Sequence, residues 1–154
     1  AYTDLLNEKT GLQRQLDDCL RRGDIAALTG LVKRLFAAIP WRNFIHSQLP
    51  DYEGYYASVL YAFFASLDAT IIPEDISNHG QADMTIILGH HVYVMEFKVI
   101  DAETLDHNPA LIQLQQRRYA DKYRGDTNKT VHEVGWIFSR NLRGLVRADW
   151  EIIE

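Results

Sequence analysis

The sequence predicts an α/β fold, a mixed β-sheet flanked by helices and preceded by an N-terminal helical hairpin. Three observations predict it. Apolar residues recur at helical spacing through residues 3–22 and again through 25–38, as on helices that bury one stripe. Residues 83–98, DMTIILGHHVYVMEFK, form two Val/Ile/Leu/Tyr-rich runs around Gly89-His90, a hairpin signal. A helical segment with an Asn108-Pro109 start signal then leads to another strand-like run. Hairpin pairing combined with a crossover helix gives a mixed sheet with helices on its faces.

The elements follow in order. Leu5, Leu12, Leu16 and Leu20 mark the first helix, over residues 3–22, and Gly23-Asp24 stops it and caps the next. Ile25, Leu28, Leu31, Val32 and Leu35 line one stripe of a second helix over 25–38, and Pro40 ends it. After an irregular stretch to Pro50, Asp51 suits the N-cap of a third helix over 51–66. Its apolar surface is Tyr55, Tyr56, Val59, Leu60, Phe63 and Phe64. Residues 70–75 read as a strand, Ser77-Asn78-His79-Gly80 as a loop, and the hairpin follows. A helix over 105–123, a strand over 131–138 and a last short strand over 150–153 complete the chain. The expected organisation is residues 1–50 as helical hairpin and linker, and residues 51–154 as the α/β domain.

Composition narrows the function classes. The chain has 154 residues, the size of one domain, and 47% of them are hydrophobic, enough for a real core. The single Cys19 excludes an internal disulfide and fits a reducing compartment. No apolar run approaches membrane-spanning length and no signal-peptide pattern is present, so a cytoplasmic location and no membrane partner are expected. The chain starts at Ala1 within helical-looking sequence, which reads as a fragment or a processed product. A net charge of −5 argues against a strong sequence-independent grip on DNA. It does not argue against a site built from carboxylates, which would add negative charge of their own.

The hairpin carries the chemistry. With Gly89-His90 as a two-residue type II′ turn, Leu88 falls opposite His91 and, counting back, Asp83 falls opposite Glu96. Opposed residues share a face, with Cβ atoms roughly 5 Å apart, and Lys98 shares it too. That face runs Gln81, Asp83, Thr85 and Ile87 against Val92, Val94, Glu96 and Lys98. The other, with Met84, Ile86 and Leu88 against His91, Tyr93, Met95 and Phe97, is apolar almost throughout and should be fully buried. Opposed like charges destabilise a sheet unless something binds between them, and a divalent cation is the obvious candidate.

This order, with Asp on the second strand and Glu96-Phe97-Lys98 on the third, resembles the PD-(D/E)XK nuclease superfamily, the restriction-endonuclease-like fold. Gly80-Gln81-Ala82-Asp83 resembles the family's lead-in to the second strand. Residues 110–123, ALIQLQQRRYADKY, resemble its signature helix, with Gln113 and Tyr119 at the marked positions. Residues 53–60, EGYYASVL, resemble its first core helix with Glu53. The stretch GDIAALTGLVKRLFAAIP resembles a bacterial subgroup in which this domain follows an AAA-ATPase-like domain.

The resemblance implies metal-dependent hydrolysis of nucleic-acid phosphodiesters, DNA or RNA, with Mg²⁺ as cofactor and Mn²⁺ as a possible substitute. It implies Asp83, Glu96 and the Phe97 carbonyl as metal ligands, and Lys98 as the group that orients the attacking water or stabilises developing charge. Lys98 equally fits a plain cross-strand ion pair. Glu53 reads as a further ligand or as a first-turn acid favoured by the helix dipole. Glu74 either lines the site or is an exposed loop carboxylate. Gln113 is expected to bind phosphate or a metal-bound water, and Arg117, one turn on, a backbone phosphate; both are also common helix-surface residues. Tyr119 reads as core packing. Gln81 stands where the family more often has Arg, which removes a charge from the substrate side. The partners implied are nucleic acid and an upstream ATPase-like domain. The alternative is a catalytically inactive nuclease-fold module that binds nucleic acid or docks an ATPase-like domain.

Other chemistries lack support. His90 and His91 are adjacent on a strand and point to opposite faces. His46, His79, His107 and His132 show no HxxxH spacing, and neither a P-loop nor a G-x-S-x-G elbow is present.

Overall fold

A computed structural model describes residues 2–39, 53–77 and 80–153, apart from the side chains of residues 2–10, 53, 54 and 76. The expected cap Asp51 lies outside the described residues. Helices α1 (Tyr2–Arg22) and α2 (Ile25–Ala38) form the N-terminal hairpin, and α3 (Glu53–Phe64) follows. Strands β1 (Thr70–Ser77), β2 (Gly80–Leu88) and β3 (His91–Ile100) come next, then α4 (Pro109–Gln116), β4 (Thr130–Ser139) and β5 (Gly144–Ile153). The sheet order is β1-β2-β3-β4-β5. Among the described residues only β3 and β4 pair in parallel, and α4 is the crossover between them.

Alternating side chains send two sets of residues to the two faces. Met84, Ile86, Tyr93, Met95 and Phe97 lie in one core with α1, α2 and α3. Phe138 meets Tyr56 of α3 at 4.6 Å and Phe36 of α2 at 5.1 Å between ring centroids. The N-terminal hairpin therefore shares its core with the sheet. Val92, Val94 and Val131 lie in a smaller core on the opposite face, with Leu114, Tyr119 and Ala120.

Helix α4 is shorter than the expected 105–123. Asn108 caps it, its Oδ1 accepting from Leu111 N at 2.9 Å, with Pro109 in the first turn. It ends at Gln116 because Arg118 turns into the left-handed region, at φ 55°. That reversal brings Tyr119 and Ala120 back to the sheet, and a short 3₁₀ turn, Asp121–Tyr123, follows. Gly135 lets α4 sit directly on β4, since a Cβ there would lie 2.4 Å from Leu111 N. The Asn108 amide also donates to Gly135 O at 2.9 Å and to Asp149 Oδ2 at 2.8 Å. One cap residue thus fixes both the start of α4 and its seat on the sheet.

Strand β5 is longer than the expected 150–153. It is an edge strand with Arg147, Asp149 and Glu151 among its residues, so only part of its length carries an apolar signature.

Candidate active site

The β2–β3 hairpin pairs as counted, from Leu88 opposite His91 to Met84 opposite Met95, around Gly89 at φ 61°. The ladder stops there. At the next step Asp83 Oδ2 accepts the Phe97 backbone N–H at 2.8 Å. In a regular hairpin that N–H would go to a backbone carbonyl of β2. The β1–β2 ladder also skips a rung, between Pro73–Met84 and Asp75–Ala82. The omitted residues are Asp83 and Glu74, and Glu74 stands at φ 51°, a strained conformation for a residue with a side chain.

The kink reverses the faces. Met84 packs in the large core under α1–α3, while Ala82 packs in the small core under α4. Residues two apart in a regular strand would share a face. The expected continuous face through Gln81 and Asp83 is therefore broken, and Gln81 is exposed. Asp83 is freed from the ladder at the point where the strands part.

Glu96 is 4% exposed on the α4 side of β3. Its Oε1 accepts from Gln113 Nε2 at 3.1 Å, and its Oε2 is buried without a hydrogen-bond partner among the described residues. Burial, followed by repulsion from Asp83, pushes the Glu96 carboxyl up to about 8, and the positive charge of Lys98 only partly offsets this. Two ionised carboxylates cannot hydrogen-bond to each other; they do so only when one holds a proton. The pair thus awaits either a proton or a cation. An unpartnered buried oxygen beside a fixed second carboxylate fits a hard divalent cation, which takes oxygen ligands and retains water at its other positions. Among the described residues there is no group of three or more His, Cys, Asp or Glu side chains arranged to hold a metal, so carbonyl oxygen, water or substrate would have to complete the shell.

The remaining expected residues surround this pair. Lys98 is half-buried two residues along β3, and forms no ion pair among the described residues. Gln113 is half-buried, and its Nε2 also lies 3.4 Å from the Tyr119 hydroxyl. Tyr119 is buried against Gly80, as expected of a packing residue. A Cβ on Gly80 would lie 2.9 Å from the Tyr119 ring, and its φ of 128° suits glycine alone. Arg117 is exposed at the C-cap of α4. The side chain of Glu53 lies outside the described residues. Glu74 is exposed and lines, with Asp83, a cleft of about 390 Å³ between α3 and the first two strands.

Two clusters escaped sequence reasoning. Asp75 is 5% exposed, ion-paired with Lys122, and accepts from the Tyr123 hydroxyl at 2.5 Å. Burial alone would raise its pKa, but the hydrogen bonds from Lys122 and Tyr123 outweigh it and hold the carboxyl below its ordinary value. The cluster ties the 3₁₀ turn to β1, one residue from Glu74. At the other end of β3, His91 Nδ1 meets His132 Nε2 at 2.9 Å beneath Gly23 of the helical hairpin. Burial, then the neighbouring His91, brings His132 down to about 4.

Comparisons with known proteins agree with this geometry. The sequence profile of the PD-(D/E)XK nuclease superfamily matches residues 51–148, a span that includes Asp83, Glu96, Lys98 and Gln113. The chain is 42% identical over 132 residues to a protein of Azotobacter chroococcum mcd 1 described as "Uncharacterized protein in vnfD 5'region". That match takes in 86% of this chain and 25% of the relative, so the chain spans about a quarter of the relative's length. No solved structure matches significantly. A mixed five-stranded sheet flanked by helices, with Asp83 and Glu96-Phe97-Lys98 at one end of its hairpin, is the restriction-endonuclease-like arrangement, and the chain belongs to the PD-(D/E)XK nuclease superfamily.

Proposed function

We propose that the protein is a metal-dependent nuclease that hydrolyses phosphodiester bonds in nucleic acid. The observation that carries this reading is the Asp83–Glu96 pair, with a buried Glu96 oxygen that has no partner among the described residues. Asp83, Glu96, the Phe97 carbonyl and Glu53 are the groups that would hold Mg²⁺, or Mn²⁺ in its place. When bound, such a cation supplies a water of lowered pKa and Lewis acidity toward the phosphoryl oxygens. Asp83 is pre-set for its role by the Phe97 N–H, which holds one carboxylate oxygen. Gln113 holds Glu96 Oε1 and leaves Oε2 to the site. Lys98 orients the attacking water and stabilises charge that develops on the phosphoryl oxygens. Arg117 contacts a backbone phosphate from its exposed position.

The chain acts in the cytoplasm, a reducing compartment that its single Cys19 fits, within a longer protein whose ATPase-like domain precedes it, and the resemblance of residues 23–40 supports that domain order. Cleavage of a mixed panel of DNA and RNA with Mg²⁺, Mn²⁺ or chelator, by the parent and by Asp83→Asn, tests the reading. Metal-dependent cleavage by the parent alone supports it. Nucleic-acid binding without cleavage under any condition would favour the inactive binding module instead.

A further inference from the structure

On the α3 side of Asp83 lies a cleft whose other lining side chains the hydrolytic chemistry does not use. Ala57, Ser58 and Tyr61, at helical spacing on α3, form one wall, and Glu74, Asp83 and Met84 form the other. Tyr61 is 42% exposed. Among the described residues its ring stacks on no other ring and its hydroxyl makes no hydrogen bond. A large aromatic side chain left bare on the wall of a cleft is a platform for another flat ring. At about 390 Å³ the cleft is within the range of small-molecule sites. Asp83 lines it, so whatever enters it sits beside that carboxylate.

Resting on the nuclease reading, we propose that this cleft binds an unpaired nucleobase next to the scissile phosphate, stacked on Tyr61, and that the substrate is single-stranded nucleic acid. Bases within a duplex are stacked on their neighbours and must be extruded at an energetic penalty before they can enter such a cleft. A single strand offers its bases freely, and base–aromatic stacking is sequence-tolerant because every base has a π-face. The acidic cleft wall supplies no phosphate grip of its own, so affinity there must come from the base. Glu74 adds a selection. A carboxylate only accepts hydrogen bonds, so it favours a base edge with an exocyclic amine, such as cytosine N4, over thymine O4. The strained φ of 51° at Glu74 is the kind of backbone feature that clusters at ligand-binding positions.

The test is fluorescence anisotropy with labelled oligo-dC and oligo-dT single strands and a hairpin duplex, with Ca²⁺ replacing Mg²⁺ to suppress cleavage. Cleavage rates of the same substrates in Mg²⁺ are measured in parallel. The expected result is tighter binding of single strands than of duplex, and of dC than of dT. Tyr61→Ala should weaken single-strand binding about 5- to 150-fold, Tyr61→Phe should keep it, and Glu74→Gln should shrink the dC preference. Equal affinity for duplex and single strand, unchanged binding by Tyr61→Ala, or no binding by the parent would overturn the proposal. Cleavage of duplex by the parent, unaffected in Tyr61→Ala, would overturn it while leaving the nuclease reading intact. Tyr61-dependent single-strand binding without cleavage would support the cleft and defeat the nuclease reading.

Discussion

Asp83 Oδ2 accepts the Phe97 N–H at 2.8 Å, in the place of a strand carbonyl. One carboxylate therefore ends the β2–β3 ladder and presents itself to Glu96. This double role separates two substitutions. Asp83→Asn keeps an acceptor for Phe97 and should unfold within about 1 kcal/mol of the parent, yet lose activity. Asp83→Ala leaves the N–H without its partner and should lose about 1–3 kcal/mol as well. Urea unfolding of both variants checks the difference; equal stabilities would mean that the bond has no structural weight.

Gly135 sets the distance between α4 and β4, and through α4 the placement of Gln113. In Gly135→Ala the new Cβ would meet Leu111 N at 2.4 Å. Overpacking of this kind destabilises by about 1–3 kcal/mol. Thermal unfolding should show that loss, and cleavage should fall too, because α4 must lift and carry Gln113 away from Glu96. Full activity in a destabilised variant would mean that the Gln113–Glu96 bond is dispensable.

The buried histidines predict sensitivity to acid. His132 is held at about 4, below its ordinary 6.5, so the folded chain takes up fewer protons than the unfolded one. Its contribution is fully present above about pH 6.5 and is lost as pH falls toward 4, on the order of 3 kcal/mol in all. His91 is shifted in the same direction, by burial and by His90. His132→Phe should flatten the fall in melting temperature between pH 6.5 and 4. An unchanged slope would place the acid sensitivity elsewhere.

Much of this was legible in the sequence, for identifiable reasons. Gly89-His90 is a local turn signal, so the pairing from Leu88–His91 to Met84–Met95 followed by counting. Helix α2 was legible because Asp24 caps it, accepting from Ala27 N at 3.0 Å, and its apolar stripe has clean spacing. The kink at Asp83 was not, because Glu74 adopts positive φ without the glycine or asparagine that would announce it. Residues 110–123 carry helix-compatible side chains throughout, and only the need of Tyr119 and Ala120 to reach the sheet ends α4 early. The pairs His91–His132 and Asp75–Lys122 join residues 41 and 47 apart in the chain. Their contacts depend on the parallel β3–β4 register and on the turn after α4, neither of which has a local sequence signature.

The most direct test compares cleavage rates of the parent, Glu96→Gln and Lys98→Ala, prepared identically, on the substrate that the parent cuts best in Mg²⁺. The account predicts metal-dependent cleavage by the parent and losses of about 100-fold or more in both variants, as for groups that stabilise a transition state directly, with both still folded. Equal rates in all three proteins would contradict it and remove Glu96 and Lys98 from the chemistry.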